Sequence, residues 1–206
     1  MRFSAIATVL VLLLALTGAA TEKLGTVNFQ TSCSPAAQSE FTRAVAMLHS
    51  FWFQNAIKGF EATATADPSC GIAGWGAAVS WLGNPLAGAP PPKNVEMGAM
   101  AVERAKSMGA KTQRERDYIA AIETFYKDHD KVDHRTRARA YEKAMEALAA
   151  RYPQDREAAI FYALALNITL NPNDKTYANQ LKAAAILDPV FKEQPNHPGV
   201  AHYLIH

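Results

Sequence analysis

The sequence predicts an all-α fold, an α-α superhelix of antiparallel helix pairs, on three observations. Apolar residues recur at i, i+3 and i+4 along most of the chain, as in Phe41, Val45, Leu48 and Phe51. Helical segments come in pairs repeating at roughly 34 to 40 residues, the period of stacked helical repeats. No segment alternates apolar and polar residues as a half-buried strand would.

The elements follow in order. "MRFSAIATVLVLLLALTGAA" has a basic residue at Arg2, an apolar run from Ala5 to Leu16, and small residues at Gly18, Ala19 and Ala20. That layout predicts a signal peptide spanning 1–20 and cleaved after Ala20, hence a secreted or periplasmic protein with no stable membrane span after cleavage. Residues 21–36 read as a polar arm. Residues 37–206 read as the helical repeat domain. "EFTRAVAMLHSFWFQNAIKGFEATATADP" is two helices with a break near 50–54, stopped by Pro68. "CGIAGWGAAVSWLG" and "NVEMGAMAVERAKSMGA" form the second pair, "TQRERDYIAAIETFYKD" and "HRTRARAYEKAMEALAARYP" the third. "QDREAAIFYALALNITL" and "DKTYANQLKAAAILDP" form the fourth, and His197 to His206 opens a fifth.

Composition excludes some function classes. The formal charge is +2 over 206 residues, and +1 without Arg2, so no basic surface calls for nucleic acid or an anionic membrane. Two cysteines, Cys33 and Cys70, in an exported chain favour a disulfide. Closing a loop of about 38 residues, it would contribute about 3 to 4 kcal/mol and tie the arm to the second helix pair. A redox or zinc-ribbon CxxC, a glycine-rich phosphate loop and a GxSxG elbow are all missing.

Particular residues carry a family resemblance. Ala56, Phe60 and Pro68 stand at offsets 0, +4 and +12, followed by Trp75, Gly76 and Val79. Tyr177, Leu181, Ala184 and Pro189 keep offsets 0, +4, +7 and +12, with Gly199 ten beyond the proline. The chain thereby resembles tetratricopeptide repeat (TPR) proteins, and "LHSFWF", "DPSC", "WGAAVSW" and "HPGVAHYLIH" are similar to a group of exported bacterial members. The resemblance implies a TPR-like solenoid whose first helices line a concave groove and whose second helices end at the prolines. Thr63, Gly98, Val102 and Arg137 depart from the pattern.

Two irregularities stand out. "GNPLAGAPPPKN" is a long, proline-rich connection, read either as an insertion or as a flap over the groove. The terminal "AHYLIH" is apolar where a last repeat usually presents a polar face, which predicts a partner or further chain beyond it.

Candidate site residues centre on the histidines. His202 and His206 are four apart and share a helix face, with His197 just before them, a set that suits a transition metal such as zinc or copper. "HYLIH" lacks the glutamate of a zinc-protease HExxH. On the TPR-like reading His49, Trp52, His202 and His206 face the groove. Trp75 is assigned to packing, Asp133 to capping a helix, and Arg135, Arg137, Arg139 and Arg151 with Glu142, Glu146 and Glu157 to a solvated face. The expected function is a scaffold that binds a protein, peptide or small ligand, and the alternative is a metal-binding protein or metal-dependent enzyme using the terminal histidines. Open groove residues, bound metal or association in solution would separate these readings from a structural adaptor.

Overall fold

The computed structural model describes residues 23–205, so the expected signal peptide and His206 lie outside the described residues. Among the described residues there is no strand, and the helices are α1 (Pro35–His49), α2 (Phe53–Ala66), α3 (Ile72–Trp81), α4 (Pro92–Met108), α5 (Gln113–Tyr126), α6 (His134–Arg151), α7 (Arg156–Ile168), α8 (Ala178–Glu193) and α9 (Pro198–Ile205). Local chemistry sets most starts. The Ser34 hydroxyl accepts from Ala37 N–H at α1, Thr112 and Glu115 form a reciprocal capping box at α5, and Asp133 and Asp155 cap α6 and α7.

Sequential helices pack against one another, and aromatic side chains of the odd-numbered helices meet. The Trp75 ring on α3 lies 5.1 Å from Tyr118 on α5, 5.1 Å from Phe161 on α7 and 6.4 Å from Phe41 on α1, centroid to centroid. Phe29 from the arm completes this stack, 5.3 Å from Trp75 and fully buried. Large aromatic rings therefore fill the space between α1, α3, α5 and α7. Trp75 is a packing residue, as expected from the sequence. On α3, Gly76 permits the close approach of α2, since a Cβ there would run into the Phe60 ring.

The arm is bound along its length. Thr26 N–H donates to Asn196 O at 3.0 Å, the Ser32 N–H and hydroxyl both reach the Glu115 carboxylate at 2.6 Å, and Ser34 N–H reaches Asp67 at 2.8 Å. Cys33 and Cys70 form a disulfide with their Cα atoms 5.0 Å apart, joining the arm to the turn before α3 as expected. The arm thus links the first helices to the turn that precedes the last. Among the described residues no helix is long and apolar enough to cross a membrane.

Two sequence expectations need correction. The helix ending in "ILDP" does not stop at Pro189: α8 runs on to Glu193 and buries Ala183, Leu187 and Val190, while Tyr177 and Leu181 are exposed. Interior proline costs about 3 kcal/mol, and the burial of Leu187 and Val190 on either side of it offsets that. Arg137 is not solvated. Its guanidinium donates to the carbonyls of Phe125 at 2.8 Å and Val132 at 3.0 Å and lies over the Phe125 ring, so it holds the end of α5 against α6. The proline-rich connection after α3 reaches across to α7. Pro85 to Ala87 form a short 3-10 turn, capped by Asn84, that packs on α7 with Pro85 buried.

Candidate functional site

Helix α9 packs against α8, and also against α1 and α7, which brings the two ends of the helical region together. At that junction His49 from the last turn of α1, Glu157 from the first turn of α7 and His197 just before α9 meet in the interior, each at most 1% exposed. Glu157 lies between the two imidazoles. Its Oε2 is 3.0 Å from His49 Nε2 and its Oε1 is 2.9 Å from His197 Nε2. The Tyr203 hydroxyl of α9 is 2.9 Å from His49 Nδ1, and the His49 ring stacks on Phe161 at 4.7 Å. Gly199 makes the approach possible, because a Cβ there would meet the His49 ring.

The proton positions follow from the donors around His197. Its Nδ1 faces the N–H groups of Gly199 at 3.2 Å and Val200 at 3.3 Å, as an N-cap acceptor does, so it must present a lone pair. The proton of the neutral ring then sits on Nε2 and is donated to Glu157. On His49 the matching assignment has Tyr203 O–H donating to Nδ1 and Nε2–H donating to the second carboxylate oxygen. Burial alone would push the Glu157 carboxyl up, but the two histidines together outweigh it and hold it at about 2. Burial also pushes His49 below its ordinary 6.5, more than neighbouring Glu157 raises it. The Tyr203 hydroxyl, buried beside Glu157, is pushed well above 10 and stays protonated. The arrangement is an ionised carboxylate taking N–H donors from two neutral imidazoles, with every donor matched to an acceptor.

Among the described residues, His49, Glu157 and His197 are the one group of three histidine, cysteine or acidic residues placed to hold a metal, with ligand atoms within 4.8 Å of one another. The residue types suit zinc or copper. The hydrogen bonding does not, because a metal-bound Nε2 needs Nδ1 to carry the proton, and His197 Nδ1 is aimed at two backbone donors. As arranged, the group holds α1, α7 and α9 together.

The sequence-derived site residues divide accordingly. His49 is buried, not on an open face. His197 joins it, as the metal reading anticipated, but His202 is not part of the group. The His202 ring is half-buried, its Nδ1 donates to the His49 carbonyl at 3.0 Å, and it lies 4.2 Å from the Phe51 ring. His206 lies outside the described residues. Glu157, read from the sequence as solvated, is the residue that was missed. Its signal was its register: Glu157 stands four before Phe161 on the apolar stripe of α7, where a carboxylate has to find buried partners.

Trp52 has a different setting. It follows a tight end to α1, in which Trp52 N–H donates to Met47 O at 2.9 Å, Phe51 N–H donates to Leu48 O at 3.0 Å, and Phe51 takes φ +59°. That left-handed position usually falls to glycine. A bulky residue held there is a local strain of the kind that concentrates at functional sites, and here the Phe51 ring packs on Phe53 at 5.0 Å and on His202. The turn leaves Trp52 42% exposed beside a cavity of about 440 Å³ lined by Phe51, Phe53, Gln54, Asn55 and Asn94. Gly83 and Asn94, from the two ends of the proline-rich connection, form its far wall.

A larger cavity of about 720 Å³ lies beside the arm, but its arginines are engaged within the protein. Arg114 pairs with Asp155 at 2.6 Å, Arg151 with Asp117 at 3.2 Å and Arg156 with Glu193 at 2.6 Å. The Trp52 cavity offers unengaged polar groups instead. No family model, curated protein or solved structure matches the chain.

Proposed function

We propose that this chain is a TPR-like helical scaffold of the secreted or periplasmic compartment that binds a small ligand or short peptide in the Trp52 cavity. The carrying observation is the exposed Trp52 ring beside a cavity in the usual size range of ligand sites, built on the ends of rigid helices. The odd-numbered helices pack their rings together, so the binding surface in this reading is the α1–α2 corner rather than the space between them. The buried His49–Glu157–His197 group serves the scaffold by anchoring α9 behind that corner, through His202 and Phe51. The Cys33–Cys70 disulfide favours the exported compartment.

The indole N–H resonances of the three tryptophans test this. A collection of aromatic amides, sugars and dipeptides should contain compounds that shift the Trp52 signal, assigned with Trp52→Phe, and leave that of buried Trp75 in place. If nothing in the collection moves the Trp52 signal, the cavity is not a ligand site.

A second reading, a zinc- or copper-binding protein, draws on the closeness of His49, Glu157 and His197. It requires His197 to give up its Nε2 proton. Elemental mass spectrometry of untagged protein decides: near-stoichiometric metal lost in His49→Ala supports it, and substoichiometric metal even after added zinc or copper removes it.

A further inference from the structure

We propose that the ligand of the Trp52 cavity is an uncharged carbohydrate, whose ring stacks on Trp52 while its hydroxyls bond to the carboxamides around it. The inference rests on the reading of that cavity as a binding site, and goes beyond it by naming the chemical class. No ionisable side chain lines the cavity, so nothing there would pair with the carboxylate or ammonium of an amino acid, or with a phosphate. The polar side chains of the wall that remain unengaged are carboxamides: Gln54, Asn55 and Asn94 make no side-chain hydrogen bond among the described residues, and neither does the Trp52 indole N–H. Ser80, also in the wall, spends its hydroxyl proton on Gly76 O at 2.8 Å and offers an acceptor only.

Each carboxamide presents two donors and a carbonyl acceptor within a few ångströms. A sugar hydroxyl donates one hydrogen bond and accepts others, so neighbouring hydroxyls on a ring are matched by a side chain that does both. An anion would need only donors, and an apolar ligand would leave the three amides unpaired, which is costly once water is excluded. The remaining contact is the indole. A pyranose has one face of C–H groups carrying slight positive charge, and the face of an aromatic ring carries the negative end of its quadrupole. The position of these groups also fits an extended ligand. Gln54 and Asn55 lie in the first turn of α2, Asn94 lies in the first turn of α4, and Gly83 between them adds no side chain to narrow the cleft, a Cβ there coming no nearer than 3.9 Å to Asn94 Nδ2.

The test uses the full chain with maltohexaose, cellohexaose and chitohexaose as neutral probes, a galacturonate hexamer as an anionic control and a proline-rich peptide as the competing class. Binding is read by calorimetry and tryptophan emission. At least one neutral hexasaccharide should bind saturably with a blue shift, and roughly tenfold or more weaker in Trp52→Ala and in Asn55→Ala, both exposed positions whose helical circular dichroism should be unchanged. The anionic hexamer should bind no more tightly than its neutral counterparts. Saccharide binding that survives Trp52→Ala overturns the placement. No saccharide binding, with the peptide or the compound collection still shifting the Trp52 indole signal, overturns the ligand class and leaves the cavity as a site. If nothing shifts that signal, both readings fall.

Discussion

Glu157→Gln should lower the unfolding free energy by about 1 to 3 kcal/mol, the cost of leaving a buried N–H donor without its acceptor. Glutamine is nearly isosteric, so packing is kept. Its carbonyl can still accept from one imidazole, but its NH2 group faces the N–H of the other. Because His197 Nδ1 is committed to Gly199 and Val200, that ring cannot exchange tautomers without opening the start of α9. Denaturant unfolding of both proteins at pH 7 measures the difference, and a loss below about 1 kcal/mol would mean that Glu157 is not ionised and bridging.

The pH dependence is a sharper check on the same group. Glu157 is held at about 2 in the folded protein against an ordinary 4.5, so the unfolded chain binds the proton first on acidification. Its stabilisation is complete above pH 4.5 and is lost as the pH falls from there toward 2. A fall of that size corresponds to roughly 3 kcal/mol. His49 acts in a higher window. Its folded value lies below 6.5, so stability is complete above pH 6.5 and declines below it as unfolded His49 takes up a proton. The wild type should therefore weaken in two successive windows. In Glu157→Gln the lower one disappears, and the gap between the two proteins should narrow below pH 4.5. A gap that stays constant from pH 7 to pH 3 contradicts the assignment.

Reduction of Cys33–Cys70, or its replacement by alanines, should cost about 3 to 4 kcal/mol, since the bridge joins cysteines 37 positions apart and limits the unfolded chain. The loss should be felt first in the arm. Ser32 and Ser34, flanking Cys33, hold the arm to Glu115 and Asp67 through short hydrogen bonds, and Phe29 is seated in the aromatic stack just upstream. Hydrogen exchange should thus rise between Thr26 and Ser34 before it rises in α3. An unchanged melting temperature on reduction would show that these hydrogen bonds and Phe29 suffice without the covalent link.

Much of the fold was legible because it is local. The i, i+3, i+4 spacing and the cap at Asp133 act within one turn, and the observed helices follow the segments read from them. Pro189 failed as a stop signal because its penalty competes with the burial of Leu187 and Val190, a term that depends on what lies across from α8. Arg137 and Glu157 were read as surface residues for the same reason. A charged side chain on an apolar stripe says that partners are needed, and not whether they exist.

The site was less legible. Trp52 could be singled out as an exposed ring, and its exposure depends on a turn within three residues of it. His49 and His197 could be singled out as histidines, but their meeting with Glu157 joins residues 108 and 40 positions apart. Such contacts form only after the chain has closed on itself and the entropy of that closure has been offset by burial elsewhere. By itself the sequence determined helix content and pairing, the two cysteines available for a bridge, and near-neutral charge, because each depends on composition or short-range geometry. The tertiary structure alone decided that α9 returns to α1, that aromatic rings fill the space between the odd-numbered helices, and that the cavity beside Trp52 is walled by uncharged amides. These depend on packing between residues far apart in the chain, which no short-range pattern encodes.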